Sequence, residues 1–165
     1  MSTPPLSDED FDRFMNHVFE SVERNGWAVH TLDIEHLPPW AYSIGMSRTG
    51  KPDVVIMGLE GAQSGQIIND VCERLYYGLA QGVSGEVLQD VANTPLRLVD
   101  LSHAEARPYA RVAQFVSKVY QQEPRCMQIL WPDSQGRFPD DPLCDPKAIW
   151  LQQHTAHPGS RLGPH

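Results

Sequence analysis

Basic side chains are scarce in this chain: 13 Lys and Arg stand against 21 Asp and Glu, for a net charge of −8. No run of Lys or Arg forms a stripe able to neutralise successive phosphates, so nucleic acid is not an expected partner. Long apolar runs are missing as well. No segment approaches the roughly 18 apolar residues that a membrane span requires. The first residues, MSTPPLSDEDF, lack the basic region and apolar stretch of a secretion signal. The expected compartment is therefore the cytoplasm, with no membrane association. Cysteine is rare, odd in number and dispersed, at Cys72, Cys126 and Cys144. Such usage speaks against a disulfide framework or a zinc knuckle and predicts three reduced thiols, the buried ones acting as small apolar residues.

What is present fits one globular domain. A chain of 165 residues can bury a real core, and 41% apolar with 21% charged residues is an ordinary globular balance. Proline reaches 14 and gathers at Pro4, Pro5, Pro38, Pro39 and from Pro124 onward, which predicts irregular backbone at both ends and in one internal loop. Residues 1–153 read as a single domain and residues 154–165 as a flexible tail.

Periodicity then places the elements. Ser7 with Asp10 three residues later predicts a helix start, Leu6 and Phe11 stand where a hydrophobic staple would sit, and Phe11, Phe14, Met15, Val18 and Val22 recur at helical spacing until Asn25-Gly26. Residues 27–32 read as a strand, 33–39 as a polar loop and 40–46 as a second strand. In the second strand Trp40, Tyr42, Ile44 and Met46 would share one face, and Ala41, Ser43 and Gly45 the other, a small-residue face that admits close approach. After a turn over 47–52, the unbroken run Val54-Val55-Ile56-Met57 predicts a central strand covered on both faces.

A helix over residues 64–77, a weaker strand over 86–91 and a firmer one over 96–101 follow. Ser102 and Glu105 have capping-box spacing, with Pro108 either after a short turn or at the start of the next helix. That helix would turn Tyr109, Val112, Ala113, Val116 and Tyr120 inward. A last strand at 126–131, with Met127, Ile129 and Trp131 on one side, precedes a turn and a short helix from Pro146 to about Gln153, capped by Asp145. The expected fold is α+β: an antiparallel or mixed sheet of about five to six strands with three main helices packed on it.

Three stretches carry a family resemblance. They are Ala41-Tyr42-Ser43-Ile44-Gly45-Met46, Pro52-Asp53-Val54-Val55-Ile56-Met57-Gly58-Leu59, and Gln128-Ile129-Leu130-Trp131-Pro132-Asp133-Ser134-Gln135-Gly136-Arg137-Phe138-Pro139. In order and spacing they resemble the bacterial family described as domain of unknown function 4262, over roughly residues 26–139. Two departures stand out: Ser43 replaces a threonine, and Asp140 stands where that family usually has tryptophan. The resemblance implies a bacterial protein of one domain and transfers no catalytic residue.

Several groups have the chemistry for a site. Ala41-Tyr42-Ser43-Ile44-Gly45 mimics a nucleophile elbow, but the residues after it read as a hairpin turn, which predicts an ordinary strand serine. His30, Asp33, Glu35 and His36 are metal-ligand types, yet one short loop rarely completes a site, and a solvated polar loop is expected. His154 and His157 share H-x-x-H spacing in the tail, and no metal is assigned to either group. Gly58, Gly61 and Gly65 lie between a strand and a helix, where amides can hold phosphate. Neither the dinucleotide fingerprint nor a P-loop lysine accompanies them, so no cofactor is expected. Cys72 and Cys126 lack the positive neighbours of a reactive thiolate.

Asp133 and Arg137 flank Gly136. A salt bridge or mutual hydrogen bonding between them would brace the turn; alternatively, Arg137 would face a pocket and grip a carboxylate or phosphate with its planar fork. The leading functional expectation is a non-catalytic binding or accessory protein whose groove receives a small molecule or a partner segment. The alternative is a small-molecule enzyme with His30 or His103 as proton carrier, Tyr42 or Ser43 as polar contact and Arg137 as anion clamp, which requires a histidine and Arg137 to meet in one cavity. A third reading, a subunit of a complex, would use exposed aromatics such as Trp150 and Phe138.

Overall fold

The computed structural model describes residues 7–153. Ser7 starts the first helix, α1 (Asp8–Asn25). Its hydroxyl accepts from the Asp10 amide at 3.1 Å, and Asp8, Glu9 and Asp10 set negative charge at the positive end of the helix dipole. Gly26, left-handed at φ 99°, closes the helix by donating its N–H to Val22 O. Three strands follow as an antiparallel meander: β1 (Ala28–Leu32), β2 (Trp40–Ile44) and β3 (Asp53–Met57). Then come α2 (Gly61–Tyr76), β4 (Val87–Leu88), β5 (Leu96–Leu101), α3 (His103–Ala106), α4 (Arg111–Val119), β6 (Cys126–Leu130) and α5 (Pro146–Gln152).

The sheet order is β1-β2-β3-β6-β5-β4. β6 enters at the centre, parallel to β3 and antiparallel to β5, so the sheet is mixed and the fold α+β. Helices cover both faces. On one, Met15, Val18 and Val22 of α1 and Ala113 and Val116 of α4 cluster with Trp40, Tyr42, Ile44 and Val55. On the other, Ile68, Val71 and Leu75 of α2 cluster with Val54, Ile56, Met127 and Ile129. This two-sided cover explains why β3 reads as a continuous apolar run. Each such buried side chain contributes about 1.5–3 kcal/mol. No helix among the described residues is long and apolar enough to cross a membrane.

Several local expectations need correction. β2 ends at Ile44, because left-handed Gly45 turns the chain into a 3-10 turn (Met46–Thr49), and Met46 joins the α2 cluster instead of the face of Trp40. The small-residue face of β2 is approached closely, but by the chain's own α2: Ala41 belongs to that cluster and Ser43 is fully buried. Phe11 is 46% exposed and lies outside the core, and its supposed staple partner Leu6 lies outside the described residues. α2 begins at Gly61, three residues early, so Gly61 and Gly65 belong to the helix and not to a loop. The strand expected over 86–91 is reduced to Val87–Leu88. The Glu86 carboxylate is drawn away to the amides of Gln81 and Gly82, and Asp90 takes a left-handed φ of 64° that ends the extended run.

The capping box of Ser102 and Glu105 is present in full and makes α3 a short helix before Pro108. Asp145 caps α5, accepting from the Lys147 amide at 3.0 Å, with Pro146 at its first position. The segment 154–165 lies outside the described residues.

Candidate functional site

His30 and Tyr42 are cross-strand partners, and their side chains meet: His30 Nδ1 lies 2.9 Å from the Tyr42 hydroxyl, with the Phe14 ring 5.1 Å from the imidazole. The Tyr42 hydroxyl also takes a backbone hydrogen bond from Val112, which leaves the phenol proton for His30. Burial holds the Tyr42 phenol well above its ordinary range and pushes His30 below the usual imidazole value, which favours the neutral form of each. Ser43, the next residue, faces the other side of the sheet and is fully buried. It has no access as a nucleophile. Asp33, Glu35 and His36 are exposed, with His36 Nε2 3.6 Å from Glu35 Oε1. Among the described residues no three His, Cys, Asp or Glu side chains form a group that could hold a metal ion, and His154 and His157 lie outside them.

A buried carboxylate that sequence reasoning passed over sits behind Ser43. Asp53, at the head of β3, is only 2% exposed. Its Oδ1 accepts from Ser43 Oγ at 2.9 Å and from the Met46 amide at 3.1 Å, and Ser43 Oγ in turn accepts from Val54 N at 2.9 Å. Burial raises its pKa to about 7, against the opposing pull of bonds from Met46, Ser43 and Gly45. Asp53 lines a cavity of about 10 Å³, room for one water, together with His103, Ser117, Arg125 and Cys126. His103 Nε2 is 2.6 Å from Pro124 O and 3.5 Å from Glu123 Oε1. Cys72 is fully buried and Cys126 buried, and burial raises both thiols, so neither is a reactive thiolate. The signal for Asp53 was legible: an acid fused to the front of an apolar run that is covered on both faces.

The segment after β6 is organised by Asp133. Its Oδ1 accepts from the amides of Gln135 and Arg137, each at 2.9 Å, and Oδ2 from the Asp145 amide at 2.8 Å. The Arg137 amide first, then that of Asp145, keeps this carboxyl below its ordinary value. Of the two ways Asp133 and Arg137 could brace the turn, the chain uses backbone hydrogen bonding, completed by Asp133 N donating to Arg137 O at 2.8 Å. The guanidinium of Arg137 is left for the other side. Its Nη1 donates to Leu143 O at 3.1 Å, and its Nε and Nη2 have no acceptor among the described residues.

Arg137 lines an open polar groove of about 440 Å³ with Arg97, Phe138, Asp140 and Asp141. Arg97 lies 4.3 Å above the Phe138 ring and donates from Nη1 to both oxygens of Asp140, at 2.9 and 3.0 Å. The residue in the place of the expected tryptophan thus holds an arginine. Arg137 and His103 line different cavities, and His30 lines neither. Trp150 is 43% exposed, whereas Phe138 is covered by Arg97.

The same segment fastens α5. Trp131 N donates to Gln152 Oε1 and Gln152 Nε2 to Trp131 O, both at 2.8 Å, while Gln128 Nε2 donates to Gln152 O at 2.6 Å. Trp131 Nε1 reaches Met57 O at 2.8 Å, and Gly58 is so close to α5 that a Cβ there would lie 2.7 Å from Leu151 Cβ. Gly58 therefore admits the close packing of α5. Replacing Gln152 by Ala strands the backbone groups of Trp131 and is expected to lower stability by about 2 kcal/mol. Hydrogen exchange is expected to show α5 amides opening before the sheet.

The chain matches no curated protein and no solved structure. One family model, described as domain of unknown function (DUF4262), matches residues 21–145. The match runs from the last turns of α1 to the cap of α5 and takes in Asp53, Asp133 and Arg137, and the chain belongs to this family.

Proposed function

We propose that this domain is a non-catalytic binding module for a small anion bearing a carboxylate or phosphate, received in the groove between Arg97 and Arg137. One observation carries the reading: Arg137 is anchored through a single Nη1 bond to Leu143 O, so its Nε and Nη2 form a preset donor edge with no acceptor among the described residues. A guanidinium held this way loses little freedom when it grips an oxyanion bidentately. Arg97 lines the same groove with its charge paired to Asp140, and that bond is of the kind a ligand carboxylate would make in its place. The enzyme alternative has less support, since neither His30 nor His103 shares this groove.

Calorimetric titration with citrate and with inorganic phosphate tests the proposal. At least one probe is expected to bind with a Kd of about 1 mM or tighter. Arg137→Lys, which keeps the charge but loses the planar fork, is expected to weaken it about tenfold. Asp140→Asn releases Arg97 and is expected to strengthen it. No binding by either probe, or binding indifferent to Arg137→Lys, overturns the reading.

A further inference from the structure

α1 and α4 lie side by side on one face of the sheet, in ring contact where Phe19 meets Tyr120 at 6.0 Å. The outer surface between them is a groove of about 390 Å³ lined by Phe11, Met15 and Phe19 of α1 and Phe115 of α4, with Asp12 and Asn16 on its rim. Phe11 is 46% exposed, and Phe115 and Val119 are each 50% exposed. One half-exposed ring on each helix, Phe11 and Phe115, with Met15 and Phe19 one and two turns further along α1, makes an apolar strip where a surface helix normally turns polar.

The charge around the seam says what fits it. α1 carries six carboxylates, on Asp8, Glu9, Asp10, Asp12, Glu20 and Glu23. Both of its arginines are spent within the helix: Arg13 pairs with Glu9 at 3.2 Å and Asp10 at 3.8 Å, and Arg24 with Glu20 at 2.9 Å. Asp8, Asp12 and Glu23 have no ion-pair partner among the described residues, and they follow the groove residues at helical spacing. α4 contributes Arg111 and Lys118, and Arg48 reaches Val22 O at the Glu23 end of α1, so the net negative end is the amino-terminal one, where Asp8, Glu9, Asp10 and Asp12 share α1 with Arg13. A second copy on the groove would bring two acidic α1 edges together in a two-fold pairing, and an anionic bilayer would be repelled in the same way.

We propose that the α1–α4 groove docks an amphipathic helix of a partner protein, with large aliphatic or aromatic residues entering between Phe11 and Phe115 and Lys or Arg residues meeting Asp8 and Asp12. This is the helix-in-groove mode, in which residues at i, i+3, i+4 and i+7 anchor the ligand and flanking charge selects it. The proposal is independent of the anion groove, which lies among different residues.

The probe is a fluorescein-labelled helical peptide of Leu and Lys, about four turns long, with leucines at that spacing. Its anisotropy is followed against the whole chain, beside a Leu/Glu peptide of the same pattern. The Leu/Lys peptide is expected to bind at least tenfold more tightly than its acidic counterpart. Phe11→Ser with Phe115→Ser, both surface positions, is expected to weaken it by about tenfold or more with unchanged circular dichroism. Asp12→Lys is expected to weaken it as well. Binding that survives the loss of both rings is mere charge attraction and overturns the proposal, as does no binding. Self-association of the pure chain that Phe115→Ser abolishes overturns it too, in favour of a second copy.

Discussion

Gly45→Ala is expected to destabilise the protein by about 3 kcal/mol, the sum of two penalties that a paired variant separates. Gly45 has φ 99°, a left-handed conformation that costs an L-residue about 1–2 kcal/mol. Its missing side chain is also filled space: a Cβ would lie 2.5 Å from Val22 Cγ2, inside the packing of α1 on β2. Val22 is fully buried and cannot swing away, so α1 must shift. Gly50 supplies the comparison within the same turn. It is left-handed at φ 77°, with nothing within 4 Å of its would-be Cβ, so Gly50→Ala is expected to show the backbone penalty alone. Urea unfolding of the two variants measures the difference. Equal losses would mean that the α1 contact yields without cost.

Replacing Asp53 by Asn is expected to change how stability depends on pH. The folded pKa of Asp53 is raised from 3.8 to about 7, chiefly by burial, so below the lower value the group is protonated whether the chain is folded or not. As pH rises between these values the unfolded chain releases the proton while the folded chain keeps it. The stability it contributes at low pH is therefore lost progressively, on the order of 4 kcal/mol in all, and the loss is complete above the folded pKa. Asn is nearly isosteric, can still accept from Ser43 Oγ and the Met46 amide, and does not titrate. The stability of Asp53→Asn relative to the parent should rise from pH 4 to about 7 and then level off. A difference that stays constant across that window would mean that the Ser43 and backbone bonds keep Asp53 ionised throughout.

Both predictions centre on the turn between β2 and β3, which periodicity described least well. Alternation placed Trp40, Tyr42 and Ile44 correctly on one face, and it failed at Met46 because it assumes the strand continues. A left-handed glycine resets the pattern, and a lone Gly in a strand-like run does not announce its φ. The reading of Phe11 failed for a different reason. It shares the helical period of Met15, yet it lies on the outer edge of that face, in the surface groove with Phe115. Asp133 and Arg137 were correctly joined from their spacing around Gly136, but the backbone amides that take the carboxylate, and so free the guanidinium, belong to a loop geometry that spacing does not encode.

The amino-acid sequence by itself determined the helices and strands with strong local signals: α1 from its cap and 3.6-residue period, β3 from its unbroken apolar run, β6 from the alternation of Met127 and Ile129, α3 from its capping box, and with them the α+β class. These follow from interactions spanning a few residues, which a linear pattern records. The tertiary structure alone decided that β6 enters between β3 and β5, that Asp53 is sealed behind Ser43, that Arg97 and Arg137 share a groove while His30 and His103 do not, and that Phe11 and Phe115 form one seam. Each is a meeting of groups distant in the chain, fixed by how two helix layers and a mixed sheet exclude water together rather than by any local preference.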